Sequence, residues 1–331
     1  MKDKEIRWGI IGVGDVCEVK SGPAMQLIEH SSLVAVMRRN GDKAMDYAHR
    51  HGVPKWYDNA DQLISDPGVN AIYIATPPNS HQLYALKAAA AGKPVYVEKP
   101  MATSYQECVS MIEACQKANV PLFTAYYRRR LPNFLKIKSM LDEGVIGDVR
   151  YVDITLNKTL QPNIAGASKS TDNWRILPEI AGGGYFFDLA CHQLDLLDFL
   201  FGPIEDAHGF ATNQANIYHA EDIVVGTFRF QNGILGQGTW CFSTSTASDK
   251  ELTTIVGSKG QISYPCFGDF SVALELEGKE KQVMKFNIPK HIQQPLIQTI
   301  VDELLGKGKC PSTGISGART SRVMDLLCKR F

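Results

Sequence analysis

Short, densely apolar runs alternate with helical stretches through the first 126 residues. Ile6-Arg7-Trp8-Gly9-Ile10-Ile11 and residues 33–37, 69–75, 94–97 and 120–126 read as buried-type strands. Between them, residues 42–51, 60–65, 81–91 and 104–119 have helical spacing, and Gly92 supplies a C-cap. Lys20-Ser21-Gly22-Pro23 interrupts the first helix, which restarts over about 24–29. Tyr57-Asp58 fits a loop and Asp66-Pro67-Gly68 a turn. This β-α-β-α order predicts an α/β class with a doubly wound parallel sheet.

The pattern changes after Arg128-Arg129-Arg130. Residues 134–142 are helical, Gly144-Val145-Ile146-Gly147 is a turn, and 149–156 alternate as a half-buried strand. Residues 163–172 are polar and small, as in a loop. Gly182-Gly183-Gly184 leads into a helix that runs to about 201 and stops at Gly202-Pro203. β-type runs follow at 207–212, 223–230, 234–242, 252–256, 261–264, 272–276 and 282–286, with Asn232-Gly233 as a hairpin turn. They predict a mostly antiparallel sheet with helices on one face. Helices at 292–305 and 316–329 close the chain. The expected domains are 1–126 and 127–331, the C-terminal helix packing back toward the first.

Composition narrows the class. The chain has 331 residues, 35 basic and 35 acidic, and 44% hydrophobic residues, enough for a large core or two domains. Charge balance argues against nucleic acid or an anionic membrane as partner. The apolar runs are too short to span a bilayer, and the N-terminus lacks signal-peptide character, so the expected location is cytoplasmic. Eight cysteines are scattered, with no Cys-x-x-Cys and no zinc-ligand spacing to His, so no metal is expected. Free, mostly buried thiols fit a reducing compartment.

The chemistry gathers at strand ends. Gly12-Val13-Gly14-Asp15-Val16-Cys17 follows the first strand and opens a helix, one residue from the dinucleotide-binding pattern Gly-x-Gly-x-x-Gly/Ala. Its first glycine permits a tight turn; the second lets backbone N–H groups approach a pyrophosphate at the helix N-terminus. Cys17, slightly larger than Ala, weakens the match without breaking it. An NAD-binding unit carries Asp or Glu after its second strand, on the ribose 2′-hydroxyl. Here stand Arg38-Arg39-Asn40, and guanidiniums suit a phosphate, so the expected cofactor is NADP(H), with NAD(H) the alternative. Thr76-Pro77-Pro78-Asn79-Ser80-His81 and Glu98-Lys99-Pro100 follow the next strands at the same carboxyl edge. In the second half, Asp188 and His192 are i and i+4 on one helix and share a face. Tyr126 ends a strand, and Arg129 lies in a basic run that could hold an anionic substrate group or form a solvated turn.

Together and in order, the glycine turn, Glu-Lys-Pro about 85 residues later and a Gly-Gly…Asp-x-x-x-His helix in a mostly β second half resemble the Gfo/Idh/MocA oxidoreductases. The likeness extends to Val145-Ile146-Gly147, Trp174-Arg175 and Val256-Gly257-Ser258-Lys259-Gly260. It implies a Rossmann domain followed by an α+β domain with a large open sheet, through which relatives form homodimers or homotetramers. It places Lys99 beside the nicotinamide and the reacting carbon, with Glu98 approaching the nicotinamide riboside. Thr76, Pro77 and Asn79 line the cofactor, and His81 closes that loop as a further cofactor residue. Trp174 and Arg175 lie near cofactor and substrate, and Asp188 and His192 are catalytic. Tyr126 and Arg129 are the substrate candidates. The implied activity is hydride exchange between NAD(P) and a hydroxyl or carbonyl carbon of a sugar, polyol or related compound. His192 is the acid/base, with an unperturbed imidazole pKa near neutrality, and Lys99 stabilises the oxygen's charge. Two alternatives remain. One is a glycoside hydrolase using bound NAD for transient redox chemistry. The other is a non-catalytic cofactor-binding regulator, which retention of Lys99 and His192 argues against.

Overall fold

The computed structural model describes residues 5–159 and 173–330, so the loop expected at 163–172 lies outside the described residues. The chain divides into two compact units, Met1–Arg130 with Pro289–Ala318, and Leu131–Ile288 with Arg319–Phe331.

The first unit is built on six parallel strands: β1 (Ile6–Ile11), β2 (Ser31–Met37), β3 (Lys55–Tyr57), β4 (Ala71–Ile74), β5 (Val95–Val97) and β6 (Leu122–Thr124). Their order is β3-β2-β1-β4-β5-β6. Helices cross between them, and β4 and β5 are buried on both faces, as sheets with helices on both sides require. Burying side chains such as Ile72, Ile74 and Val97 contributes about 1.5–3 kcal/mol each. Strand order reverses between β1 and β4, and ligands bind outside the carboxyl ends of such sheets at this point. The alternation of the sequence is recovered with trimmed ends. The break at Lys20-Ser21 is also present, between helices Asp15–Val19 and Gly22–Leu27. β3 departs from expectation: Tyr57 belongs to a strand rather than a loop. It has three residues, and Lys55 and Trp56 are exposed at the sheet edge, so no apolar run announces it.

The contact grouping of the chain runs differently from the expected 1–126 and 127–331 in its later part. The structure groups 289–318 with the first unit, including helix Gln294–Leu304. The helix buries Leu296, Ile297, Ile300, Val301 and Leu304, and polar contacts add to this. Ser312 donates to the Thr124 carbonyl at 2.7 Å, Arg129 donates to the Pro311 carbonyl at 3.0 Å, and Phe123 bridges Thr313.

The second unit holds eight strands: β7 (Val149–Thr159), β8 (Ile204–Thr212), β9 (Ile223–Phe230), β10 (Leu235–Thr244), β11 (Lys250–Gly257), β12 (Gly260–Tyr264), β13 (Val272–Leu276) and β14 (Gln282–Met284). Their order is β14-β13-β12-β11-β7-β10-β9-β8, antiparallel except where β10 runs parallel to β7. Burial alternates strictly along β9, so one sheet face is covered and the other open. The covered face carries Trp240 and Phe242. The open face carries Tyr151, Phe210, Val225 and Leu235, with Phe210 79% exposed. Asn232-Gly233 turns the β9–β10 hairpin as expected.

Candidate active site

In the first unit three loops leave the carboxyl ends of adjacent strands. Gly12 has φ +95°, and a Cβ there would stand 2.6 Å from Thr76 Cγ2 and 2.9 Å from Thr76 N. Only glycine lets the loops after β1 and β4 meet so closely. Gly14 differs. It caps helix Asp15–Val19 in extended conformation, and a Cβ there would meet nothing within 4 Å. That open face fits a pyrophosphate approaching backbone N–H groups. Asp15 is exposed and Val16 half-buried beside it. Cys17 is fully buried, its Sγ 3.9 Å from the Gly12 carbonyl, and burial pushes its thiol up to about 12. It fills the third glycine's packing role as an inert thiol.

Arg38 follows β2 and donates from Nη1 to the Val13 carbonyl at 3.1 Å. Arg39 next to it is exposed. Asn40 caps helix Gly41–His51, accepting from Lys43 N at 3.0 Å. The carboxylate an NAD-type ribose contact needs is therefore not at this strand end.

Beyond β4, Thr76 and Pro77 are half-exposed and Asn79 exposed. Ser80 donates to Thr76 Oγ1 at 2.7 Å. His81 is fully buried. Its Nε2 lies 2.7 Å from the Thr76 carbonyl, and its Nδ1 lies 3.2 Å from both the Pro100 and Met101 carbonyls. Burial holds its pKa below the ordinary imidazole range. The ring thus faces backbone rather than a ligand, and braces the Thr76 loop to the segment after Lys99.

Glu98 is buried and heavily bonded. Its Oε1 accepts from the Tyr73 hydroxyl and from Gln293 Nε2, each at 2.6 Å, and its Oε2 accepts from Lys99 N at 3.1 Å. Lys99 is half-buried, and the Lys99–Pro100 peptide is cis. Tyr126 and Arg129 are buried, and Arg129 is spent in part on the Pro311 carbonyl. Gln293, 195 residues from Glu98, carried no local sequence signal.

In the second unit Phe186–Ala190 winds as a π-helix that passes directly into α-helix Cys191–Phe201. Such wide turns occur often at functional sites. Asp188 and His192 lie on this stretch, both buried. Arg175 Nε stands 3.4 Å from Asp188 Oδ2, and its guanidinium stacks 4.6 Å from the Trp174 ring centre. The structure thus joins three of the residues predicted in this half, Trp174, Arg175 and Asp188. The His192 ring meets Phe267 edge-on at 5.9 Å. Its neighbour Gln193 accepts from Trp240 Nε1 at 2.8 Å and donates to Glu251 Oε1 at 3.0 Å. Glu251 also accepts from Cys266 N and Phe267 N. This network was not legible in advance. Asp198 takes a two-pronged ion pair from Arg319, both bonds at 2.7 Å, and is structural. Among the described residues no cluster of three or more His, Cys, Asp or Glu could hold a metal, and no helix is long and apolar enough to cross a membrane.

A doubly wound sheet with a glycine turn at its reversal point, followed by an open mixed sheet, defines a dinucleotide-binding oxidoreductase scaffold. Residues 6–126 match the family described as oxidoreductase family, NAD-binding Rossmann fold, and residues 134–263 match the GFO/IDH/MocA C-terminal domain. The chain belongs to the Gfo/Idh/MocA family of oxidoreductases. It is 43% identical to Oxidoreductase P35 of Formosa agariphila, over 98% of this chain and 99% of that one. It is 28% identical to trans-1,2-dihydrobenzene-1,2-diol dehydrogenase of Sus scrofa, over 97% of this chain and 95% of that protein. Among solved structures it resembles levoglucosan dehydrogenase in complex with NADH and levoglucosan, at TM-score 0.84 and 21% identity, covering 98% and 96% of the two chains.

Proposed function

We propose that the protein is an NADP(H)-preferring dehydrogenase or reductase of a sugar, polyol or related hydroxy compound. The observation that carries this reading is the loop after β5. There a buried Glu98 is fixed by Tyr73, Gln293 and the backbone of Lys99, at the carboxyl edge where doubly wound sheets bind ligands. The relatives' names, trans-1,2-dihydrobenzene-1,2-diol dehydrogenase and myo-inositol 2-dehydrogenase, support the substrate class.

The residues present fit a dinucleotide. Gly12 and Gly14, with the backbone of Asp15 and Val16, would hold the pyrophosphate, Arg39 with Arg38 a 2′-phosphate, and Thr76, Pro77 and Asn79 the wall beside it. Glu98 would accept from the nicotinamide ribose, and Trp174 and Arg175 would flank the nicotinamide end. His81 serves this set indirectly, as the brace of the Thr76 loop. When bound, the nicotinamide supplies or accepts the hydride.

The chain's own residues handle the oxygen. Lys99 stabilises negative charge on the substrate oxygen as its proton leaves or arrives. His192 takes that proton in oxidation and returns it in reduction, and Asp188 orients it. Arg175 holds Asp188 in place. Tyr126 and Arg129 are assigned to the substrate side. The open sheet face with Phe210, Val225 and Leu235 is assigned to a homodimer or homotetramer contact. The test is a sugar and polyol panel with NADP(H) and NAD(H), followed by absorbance of the reduced nicotinamide. Turnover of a carbohydrate with NADP(H) favoured supports the reading. Preference for NAD(H) removes the cofactor assignment, and glycoside cleavage without net change in NAD(P)H removes the reaction.

A further inference from the structure

We propose that Gln293 is a positioning residue for cofactor binding, acting through Glu98. This inference rests on the nicotinamide reading above and extends it to a residue from the far end of the chain.

Gln293 is fully buried, and both ends of its amide are committed. Its Nε2 donates to Glu98 Oε1 at 2.6 Å, and its Oε1 accepts from the Tyr96 hydroxyl at 2.8 Å. The backbone is committed as well. Gln293 N donates to the Lys20 carbonyl at 3.2 Å, and its own carbonyl accepts from Leu296 N and Ile297 N at the start of helix Gln294–Leu304. One residue therefore links the helical segment after the glycine turn, strand β5 and the Glu98-Lys99 loop.

The chemistry gives this link a direction. A carboxylate oxygen accepts about two hydrogen bonds. Oε1 of Glu98 has both filled, by Tyr73 and Gln293 at short distances typical of charge-assisted bonds. Oε2 accepts from Lys99 N, at a longer 3.1 Å, and keeps capacity for one further donor. The two buried donors thus fix the rotation of the carboxylate and reserve Oε2 for a ligand hydroxyl. Tyr73 stacks on Tyr96 with ring centres 4.7 Å apart, so the donors themselves are held by packing. Without Gln293, Glu98 keeps the Tyr73 and Lys99 N bonds but loses one of the two donors that fix Oε1, and the Tyr96 hydroxyl loses its Gln293 acceptor.

The test is a double-mutant cycle on binding of NADPH and NADH, read by the fluorescence of the bound reduced nicotinamide. Gln293→Met keeps length and removes both polar ends. It is expected to raise the Kd about tenfold in the native background, the scale of one lost bond to a charged group. In a Glu98→Gln background it is expected to add less than roughly twofold, because the group it positions has already been altered. The emission maximum should shift alike in Gln293→Met and Glu98→Gln. Equal losses in both backgrounds overturn the inference, since a general packing defect multiplies with any other change. An unchanged Kd overturns it too. If Gln293→Met does not fold, Gln293→Asn keeps the amide, draws it back from Glu98 by one methylene, and enters the same cycle with the same criterion. Native protein that binds neither NADPH nor NADH removes the nicotinamide reading itself, a result separate from additivity in the cycle.

Discussion

Arg38 donates to the carbonyl of Val13 at 3.1 Å, so one guanidinium of the Arg38-Arg39 pair holds the glycine turn. Arg39 is exposed beside it. The two arginines should therefore separate by substitution. On the NADP(H) reading Arg39→Ala removes a phosphate contact alone, and loss of one charged hydrogen bond is worth about 1.5–3 kcal/mol. The KM for NADP(H) is expected to rise about 10- to 100-fold, with the KM for NAD(H) nearly unchanged. Arg38→Ala should weaken both cofactors, because the turn beneath the shared pyrophosphate loosens. Steady-state kinetics with each cofactor checks the pair. A parallel loss of both cofactors in Arg39→Ala counts against the phosphate assignment.

The two glycines of the turn make a sharper pair. Gly12→Ala drives a Cβ to 2.6 Å from Thr76 Cγ2 on a backbone with φ +95°. Strain of this kind costs on the order of 1–3 kcal/mol before the clash is counted, so Tm should fall and cofactor binding should be lost. Gly14→Ala places its Cβ in open space. Its Tm should stay near that of the native protein while Kd for either dinucleotide rises. Thermal unfolding beside cofactor titration reads both. A Gly14→Ala protein with native affinity would mean that no ligand approaches that face.

Lys99→Ala and His192→Ala are expected to lower kcat by about 10²- to 10⁴-fold, the range of positioned proton transfer. Tm should be affected little in Lys99→Ala, whose side chain is only half-buried. His192→Asn and Asp188→Asn extend the test. The first should lower kcat as far as His192→Ala does, since an amide cannot exchange the proton. The second should lower kcat less if, as proposed, Asp188 orients His192 and does not itself transfer the proton. Normal turnover in Lys99→Ala and His192→Ala on an identified substrate rejects the mechanism.

What could be read from the sequence follows how local each cause is. Strands β1, β4 and β5 are apolar runs bounded by Gly, Pro or polar residues, and their burial shows directly in residue type. The glycine turn, Glu98-Lys99-Pro100 and the Asp188/His192 pair are each contiguous or one helical turn apart. β3 was not visible because an edge strand of Lys, Trp and Tyr buries little. The helix at 294–304 shows its apolar spacing in the sequence, with Leu296, Ile297, Ile300, Val301 and Leu304 buried, but that spacing does not say which unit the helix joins. Its polar contacts have no periodic signature; Ser312 to the Thr124 carbonyl is an example from the same returning segment, 188 residues apart. Gln293 and Glu251 were invisible for the same reason. The place of His81 in the Thr76 loop suggests a cofactor role, whereas its ring nitrogens both turn to backbone carbonyls.

Acid stability should fall in two separable stages. The His81 pKa is held below the ordinary imidazole value of 6.5 by burial, so the unfolded chain takes up its proton first as pH falls. Its contribution is complete above about pH 6.5 and declines below it. The carboxyl of Glu18 is lowered to about 2 by hydrogen bonds from Arg50 and His51, with bond lengths of 2.8 Å. A depressed carboxylate stabilises above its unfolded value of about 4.5 and loses that contribution as pH falls toward 2. The Glu18 cluster is partly exposed, and solvent screening keeps its effect small, about 1–3 °C in Tm. His81→Leu should be less stable at pH 7.5 and show a flatter Tm between pH 6.5 and 5. Glu18→Gln should leave that stage intact and flatten the profile between pH 4.5 and 2.5. Scanning calorimetry across this range distinguishes them. A native slope between pH 6.5 and 5 in His81→Leu would show that the His81 ring carries a proton in the folded protein as readily as in the unfolded chain.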